Sequence, residues 1–419
     1  MQAKNSLLDE LSWRGMIYQH TDGLADALAT TEMSAYVGFD PTAPSLHLGH
    51  LVPVMGLAHL QRAGHRPIAL VGGGTGMIGD PSGKASERPL ASAEEIETNS
   101  RAIEKQLSRF LEFDGPNAAR MRDNAAWLRP LKAVEFMRDV GKHFTVNYML
   151  AKESVQARIE GGISFTEFSY MLLQAYDFLE LNRREGVTLQ MGGSDQWGNI
   201  TAGLELIRRV EGKTAHALTM PLVTTSSGSK FGKTEAGAVW LDPARTSPYK
   251  FYQYWINVED RDAGKYLRLF TLMPRKEIEA LEKQIDKAPE KREAQQALAR
   301  DATARVHGDE AARVAEEVSR VLFGKTDPTK LAENVLKALS QEVPFAEVRD
   351  TPGLLDALVT LKLAASKGAA KRLLEQGGVY LNGQRAAADT NLGATKPLAG
   401  GYHLLRKGAR DYGLLRVSA

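Results

Sequence analysis

Apolar positions in the first half of the chain follow two rhythms. Short apolar-rich runs at Ala35–Phe39, Pro67–Val71, Val187–Met191 and around Leu218–Thr224 read as strands. Between them, apolar residues recur at helical spacing, as in Leu51–Leu60 and Phe165–Leu181. Strands alternating with helices predict an α/β fold: a Rossmann-like parallel sheet covered on both faces, with ligands beyond the carboxyl ends of its strands. From about 246 to 337 strand signals stop, and Lys276–Lys287, Glu290–His307 and Asp309–Leu322 predict a separate helical domain. Residues 338–351 include Pro344, lack periodicity and read as a linker. In 352–419, helices at Leu354–Leu361 and Ser366–Glu375 precede Val379–Gln384, whose Asn382-Gly383 pair signals a hairpin, so a small α+β unit is expected.

Composition narrows the function classes. The 419 residues include no cysteine, which excludes a disulfide framework and a Cys-ligated zinc. A net charge of +2 argues against a strongly basic nucleic-acid coat but leaves room for a local basic patch. No apolar run reaches the ~18 residues of a membrane span, and Met1–Arg14 has no apolar core of a signal peptide. A soluble cytoplasmic protein is expected.

Three clusters of chemically able residues follow strand ends directly: Phe39–His50, Gly72–Lys84 and Gly192–Gln196. In the first, His47 and His50 flank Gly49 at the start of a helix, where backbone N–H groups and the helix dipole suit a phosphate. Two ordinary surface histidines are the alternative. Gly74, Gly76 and Gly79 spell G-x-G-x-x-G, but Asp80-Pro81-Ser82-Gly83 follows at once. That is turn chemistry, not the opening of a dinucleotide-binding helix. Asp80 therefore reads either as a ligand carboxylate on a glycine-lined wall or as a turn former. Tyr170, Gln174 and Asp177 fall at i, i+4 and i+7 and share one helix face, either solvated or the floor of a polar pocket, while Phe168, Leu172, Ala175 and Leu179 serve the packing side. Lys230 and Lys233 sit in a Ser/Gly/Thr-rich loop, which is either a solvated surface or a carrier of ammonium groups to a triphosphate. In the last unit, Lys367, Lys371 and Arg372 make one helix basic; it is either an RNA platform or an ordinary amphipathic helix.

In this order the motifs resemble those of the bacterial-type tyrosyl-tRNA synthetases, over nearly the whole chain. The general signatures of class I aminoacyl-tRNA synthetases are matched by His47–His50 and by Lys230-Phe231-Gly232-Lys233-Thr234, where Thr234 replaces a serine. More specific are Tyr36–Thr42, Gly79–Lys84, Ser169–Asp177 and Gly192–Asn199. The C-terminal unit resembles the S4-type RNA-binding module.

The resemblance implies a division of labour. Tyr36 and Asp177 would pair with the phenol of L-tyrosine, and Asp80, Tyr170 and Gln174 would hold its ammonium. Gln196 would orient its carboxylate. Gly38, Gly193 and Asp195 would hold the adenosine of ATP, with Asp40 bordering and Gly49 leaving room. Thr42, His47, His50, Lys230, Lys233 and Thr234 would stabilise charge at the phosphates, with Mg2+ carried by ATP and no protein-bound structural metal. It implies a catalytic domain over 1–235 with a 229–235 lysine loop, a dimerisation insertion at about 115–165 whose Phe136, Phe144 and Met149 are equally explained as core, an anticodon-binding domain over 246–337, and an S4-like domain over 352–419. The partners implied are tRNA(Tyr) and a second copy of the chain, with no membrane. A tryptophan-activating enzyme and a non-catalytic RNA-binding relative are the rival readings; the first should not need the Tyr36/Asp177 pair, and the second should have lost ATP contacts that are all present here.

Overall fold

The computed structural model describes residues 6–82, 91–228, 231–235, 237–324, 326–387 and 389–418. They form two compact units, Met1–Thr246 with Val258–Leu298, and Ser247–Asn257 with Ala299–Ala419.

The first unit is built on six strands: β1 (Gln19–His20), β2 (Ser34–Phe39), β3 (Arg66–Val71), β4 (Arg120–Asp123), β5 (Val187–Gly193) and β6 (His216–Met220). Their order across the sheet is β1-β6-β5-β2-β3-β4. All neighbours are parallel except β1, which runs antiparallel along β6. The chain thus builds outward from β2 through β3 to β4, then returns to the other side of β2 for β5. The apolar run of β3 is almost wholly buried because helices cover both faces. The Leu51–Arg62 helix is buried along most of its length, and the space a Cβ on Gly56 would take belongs to the Met220 side chain. The Phe165–Glu185 helix starts at Ser164, whose hydroxyl accepts from the Glu167 N–H, and stops at left-handed Gly186. It packs beside the Trp197–Glu211 helix, with Gly203 against the Phe178 ring.

Two details depart from the sequence reading. The run expected at Leu218–Thr224 ends as a strand at Met220, because Pro221 has no N–H to continue the ladder. The short strands β1 and β4 carry mostly polar side chains and had no apolar signature. The lysine-bearing segment contributes a two-stranded ribbon of β7 (Lys233–Thr234) and β8 (Gly237–Ala238).

The second unit holds β9 (Phe345–Val348), β10 (Val379–Leu381), β11 (Gln384–Arg385), β12 (Tyr402–Lys407) and β13 (Asp411–Val417), in the order β11-β10-β12-β13-β9. Asn382 and Gly383, with φ of 50° and 86°, make the turn between β10 and β11. Two expectations are corrected here. The stretch 338–351 is not a featureless linker, since β9 lies in it and pairs parallel with β13. Nor do 246–337 and 352–419 stand as separate domains. Val318, Val321, Leu336 and Leu339 share a core with Tyr402, Leu404 and Leu414, while Leu405 and Leu415 on the opposite sheet face pack with Leu354, Leu358 and Leu374. The sheet needs cover on both faces, and the preceding helices supply one of them. Residues 258–298 belong to the first unit.

Candidate active site

Reversal of strand order at β2 parts the connections leaving β2 and β5, which opens a crevice at their carboxyl ends. A cavity of about 630 Å³ occupies it. Its lining gathers Tyr36, Gly38, Asp40, Thr42, His47, Gly49 and His50 from β2 and the segment after it. Asp80 comes from beyond β3, and Tyr170, Gln174 and Asp177 from one helix face. Gly193, Asp195 and Gln196 come from the end of β5. The polar helix stripe is therefore a pocket floor: Tyr170 and Asp177 are buried.

Asp177 is 2% exposed, and its two oxygens accept from Asn124 Nδ2 at 2.8 Å and Trp127 Nε1 at 2.7 Å. Burial pushes its carboxyl up to about 8, against the pull of those two hydrogen bonds. Tyr36 is fully buried on β2, its ring edge-on to Phe178, and its hydroxyl has no hydrogen-bond partner. Burial first, then the Asp177 charge, pushes that phenol well above its ordinary range, so it stays a neutral donor. Gln190 Oε1, also in the lining and buried, has no partner either. Unmade hydrogen bonds at buried groups are costly, and a polar ligand would supply them.

Asn124 also donates to Thr75 Oγ1 at 3.0 Å, and Thr75 donates to Asp40 Oδ1 at 2.7 Å. Tyr170 Oη donates to Asp40 Oδ2 at 2.8 Å. One network thus runs from Asp177 to Tyr170. The glycines of 72–74 permit it: a Cβ on Gly72 would overlap the Asp40 carboxylate, and Gly74 N–H donates to Asn124 Oδ1 at 2.7 Å. Asp80 lies in the cavity lining, where it accepts from Ser82 N–H at 2.9 Å as a turn former does and from Gln196 Nε2 at 2.7 Å. Asn124, Trp127, Thr75 and Gln190 escaped the sequence reading. The first two follow β4, whose polar strand gave no sign of ending here.

The histidine segment corrects one expectation. His47 Nδ1 accepts from Gly49 N–H, and His50 Nδ1 accepts from His47 N–H, both at 3.1 Å. These backbone donors are therefore spent on the imidazoles and do not point at a ligand. The exchange fixes the tautomer, because an accepting Nδ1 leaves the proton on Nε2, a donor suited to phosphate oxygens. A Cβ on Gly49 would lie 2.9 Å from the His47 ring, so glycine is needed for this packing. Leu48 N–H donates to Val239 O, and Leu241 N–H to Leu46 O, which brings Trp240 edge-on to the His47 ring.

The lysine loop is only partly assembled here. Phe231 lines the cavity, whereas Lys233 and Thr234 are exposed on β7 and lie outside the lining. Lys230 lies outside the described residues, as do Gly83 and Lys84. Lys367, Lys371 and Arg372 are exposed on the Lys367–Glu375 helix of the second unit, with Lys367 paired to Asp356 at 2.5 Å. Among the described residues the lining has aspartates at 40, 80, 177 and 195 and no lysine or arginine, which suits a ligand carrying an ammonium. No three of the described His, Asp and Glu side chains converge as a metal site.

The Asp177 carboxyl makes stability pH-dependent. An unfolded chain ionises this group near 3.8, and the folded one near 8. Between these values the unfolded state has released a proton that the folded state keeps, so folding stability falls as pH rises. Asp177→Asn abolishes that component. In thermal unfolding without ligand from pH 5 to 8, the variant should show a shallower decline in Tm than the parent chain. Parallel curves would show that Asp177 is ionised throughout.

Residues 28–324 match the family model of tRNA synthetases class I (W and Y), and residues 335–415 match the tyrosine--tRNA ligase SYY-like C-terminal domain. The chain is 56% identical to a tyrosine--tRNA ligase of Anaeromyxobacter dehalogenans, over 98% of this chain and 99% of that one. It is 51% identical to that of Geobacillus stearothermophilus, over 98% and 100%. A C-terminally truncated mitochondrial tyrosyl-tRNA synthetase from Aspergillus nidulans superposes with a TM-score of 0.70 at 29% identity, covering 77% of this chain and 95% of that one.

Proposed function

The chain belongs to the class I tRNA synthetases for tryptophan and tyrosine, and from that premise we propose how its cavity and surfaces carry out the reaction. The activity is that of a tyrosine--tRNA ligase. Tyrosine and ATP give tyrosyl-adenylate and pyrophosphate, and tyrosine then passes to the 3′ end of tRNA.

The observation that carries the assignment of the amino-acid end is the buried, unpartnered Tyr36 hydroxyl near the Asp177 carboxylate. A substrate phenol completes this pair, receiving from Tyr36 and donating to Asp177. Phenylalanine leaves both polar groups unpaired, an argument for which tyrosine-activating enzymes are the standing illustration. Asp80, Tyr170 and Gln174 take the ammonium, while Gln196 orients the carboxylate. At the other end Gly38 leaves open space, and Gly193, Asp195 and Asp40 receive the adenosine of ATP.

In the first step a carboxylate oxygen of tyrosine attacks the α-phosphorus, and the bond to the pyrophosphate oxygen breaks. The nucleophile is already ionised, so no general base is needed. The residues supply orientation and donors to growing negative charge. Thr42 and the Nε2–H groups of His47 and His50 act from the cavity, with Gly49 permitting their packing. Lys230, Lys233 and Thr234 act from the loop. Mg2+ arrives as part of MgATP, held mainly by phosphates and water, as suits a hard cation that dehydrates reluctantly.

ATP–pyrophosphate exchange tests the assignment. Tyrosine should support rapid exchange and phenylalanine or tryptophan little; equal exchange with tryptophan would sink it. Tyr36→Phe should narrow the tyrosine-to-phenylalanine ratio about tenfold or more, the cost of about one buried hydrogen bond.

A homodimer completes the proposal. Val134, Met137, Val146 and Phe165, at or beside the insertion of 115–165, are all at least half exposed, which is unusual for large apolar side chains on a monomer. Sedimentation should give twice the chain mass, and Val146→Asp with Phe165→Asp should shift it to the monomer. For RNA, Lys367, Lys371 and Arg372 contact tRNA phosphates. Replacing all three by alanine should reduce the log–log salt slope of tRNA binding by about 0.7–0.9 per lost contact. An unchanged slope places the contact elsewhere. No helix among the described residues is long and apolar enough to cross a membrane, and the cytoplasm, where charged tRNA is used, is the proposed location.

A further inference from the structure

Asp262 belongs to none of the assignments above, although the residue is only 6% exposed. It lies in the first turn of the Asp260–Phe270 helix and accepts three hydrogen bonds from one residue, Ser226. Ser226 N–H reaches both oxygens, at 3.0 and 3.2 Å, and Ser226 Oγ donates at 2.8 Å. A buried carboxylate satisfied by a backbone amide and hydroxyl is a strong tether, because either change leaves a desolvated charge unmatched.

The same helix face continues toward the lysine loop. Tyr266 and Phe270 follow Asp262 at i+4 and i+8 and therefore lie on one stripe with it. Tyr266 Oη is 3.5 Å from Thr224 O. The Phe231 ring stacks on Phe270, with centroids 4.9 Å apart and planes 5° from parallel, and stands edge-on to Tyr266. Thr224–Ser226, which precede the loop, and Phe231 within it, two residues before Lys233, are thus seated on one helical stripe. Beyond Phe231, Val239 N–H donates to Gly232 O and Leu48 N–H to Val239 O, which joins the loop to the histidine segment.

The helix is itself locked. Buried Arg14 donates to the carbonyls of Arg268 and Thr271 with one guanidinium nitrogen and to that of Met273 with another, at 2.8–2.9 Å. Arg268 forms a two-point pair with Glu282 at 2.7 Å on each arm. Among the described residues nothing comparable holds the exposed Lys233 side chain, so its approach to the phosphates depends on where the loop is seated.

We propose that Asp262 is a positioning residue for tyrosyl-adenylate formation, tethering Ser226 so that the loop presents Lys233 to the departing pyrophosphate. This rests on the role given above to Lys233. Asp262 touches no substrate and acts through the loop.

The test is single-turnover adenylate formation by the full-length chain, alongside equilibrium binding of tyrosine and thermal melting. Asp262→Ala should slow the step about ten- to a hundredfold, as loss of a charge-assisted tether implies, with tyrosine affinity within about twofold. Asp262→Asn keeps shape and one acceptor oxygen, so a smaller loss of about three- to tenfold is expected; it also carries the test if the alanine variant fails to fold. In a Lys233→Ala background, either Asp262 substitution should cost under about threefold, because residues acting in one unit are not additive. Equal losses with and without Lys233 would overturn the proposal, as would an unchanged rate in Asp262→Asn and Ser226→Ala together. If Lys233→Ala alone leaves the rate intact, the role of Lys233 fails first. If Lys233→Ala is slow but the Asp262 variants are not, only the tether fails.

Discussion

Everything in the catalytic unit hangs on one topological constraint, the reversal of strand order at β2. The crossover from β2 to β3 carries the chain to one side, and the later return places β5 on the other side of β2. The two loops leaving β2 and β5 cannot close over the gap between them. That gap is where a backbone without side-chain bulk is needed, and Gly38, Gly72, Gly192 and Gly193 line it. Of the segments that meet there, those after β2, β3 and β5 follow a strand end directly, and Tyr170, Gln174 and Asp177 come from one face of the Phe165–Glu185 helix.

Inside the gap, electrostatics do the sorting. Four aspartates gather where no lysine or arginine is found among the described lining residues, and their repulsion is contained in two ways. Asp40, Asp80 and Asp177 are each satisfied by neutral donors, namely Tyr170 and Thr75, Gln196 and the Ser82 amide, and Asn124 with Trp127. Burial also holds the Asp177 carboxyl toward its neutral form until something takes up its charge. The cavity therefore presents specific demands: an unmet hydroxyl on Tyr36, an unmet carbonyl on Gln190 and a surplus of negative potential. A zwitterion with a phenol at its far end answers all of these. The phosphate chemistry proposed for this protein is separated from them, at imidazoles whose Nδ1 atoms accept from their own backbone and at a loop seated on another helix. Substrate recognition and charge stabilisation thus rest on different mechanical supports.

Much of this was legible in the residues. Apolar runs located β2, β3 and β5, the 170/174/177 spacing located a polar stripe, and Asn382-Gly383 located a hairpin. In each case the signal is local, arising from side-chain periodicity or from a backbone conformation that few residues tolerate. Long motifs such as Ser169–Asp177 added the chemistry, since spacing on one helix face is itself a geometric statement. The errors share a cause. The stretch 338–351 looked featureless because β9 is only four residues long, too short to show a period, and it becomes a strand only because β13 offers an edge. Domain limits failed because Leu404 and Leu405 point to opposite faces of one sheet, and nothing local says which helices will cover each face.

The sequence by itself determined the element types, the reaction class and most residues of the cavity, because those properties are carried by consecutive residues and their periodicity. Only the tertiary structure decided that Asn124 and Trp127 hold Asp177, that backbone amides are spent on His47 and His50, that Gln190 and Tyr36 are left wanting a partner, and that Asp262 seats the loop. Each of these joins residues far apart in the chain or turns on whether a hydrogen bond is already taken. Such facts depend on the packing of the whole unit, and no window along the chain contains them.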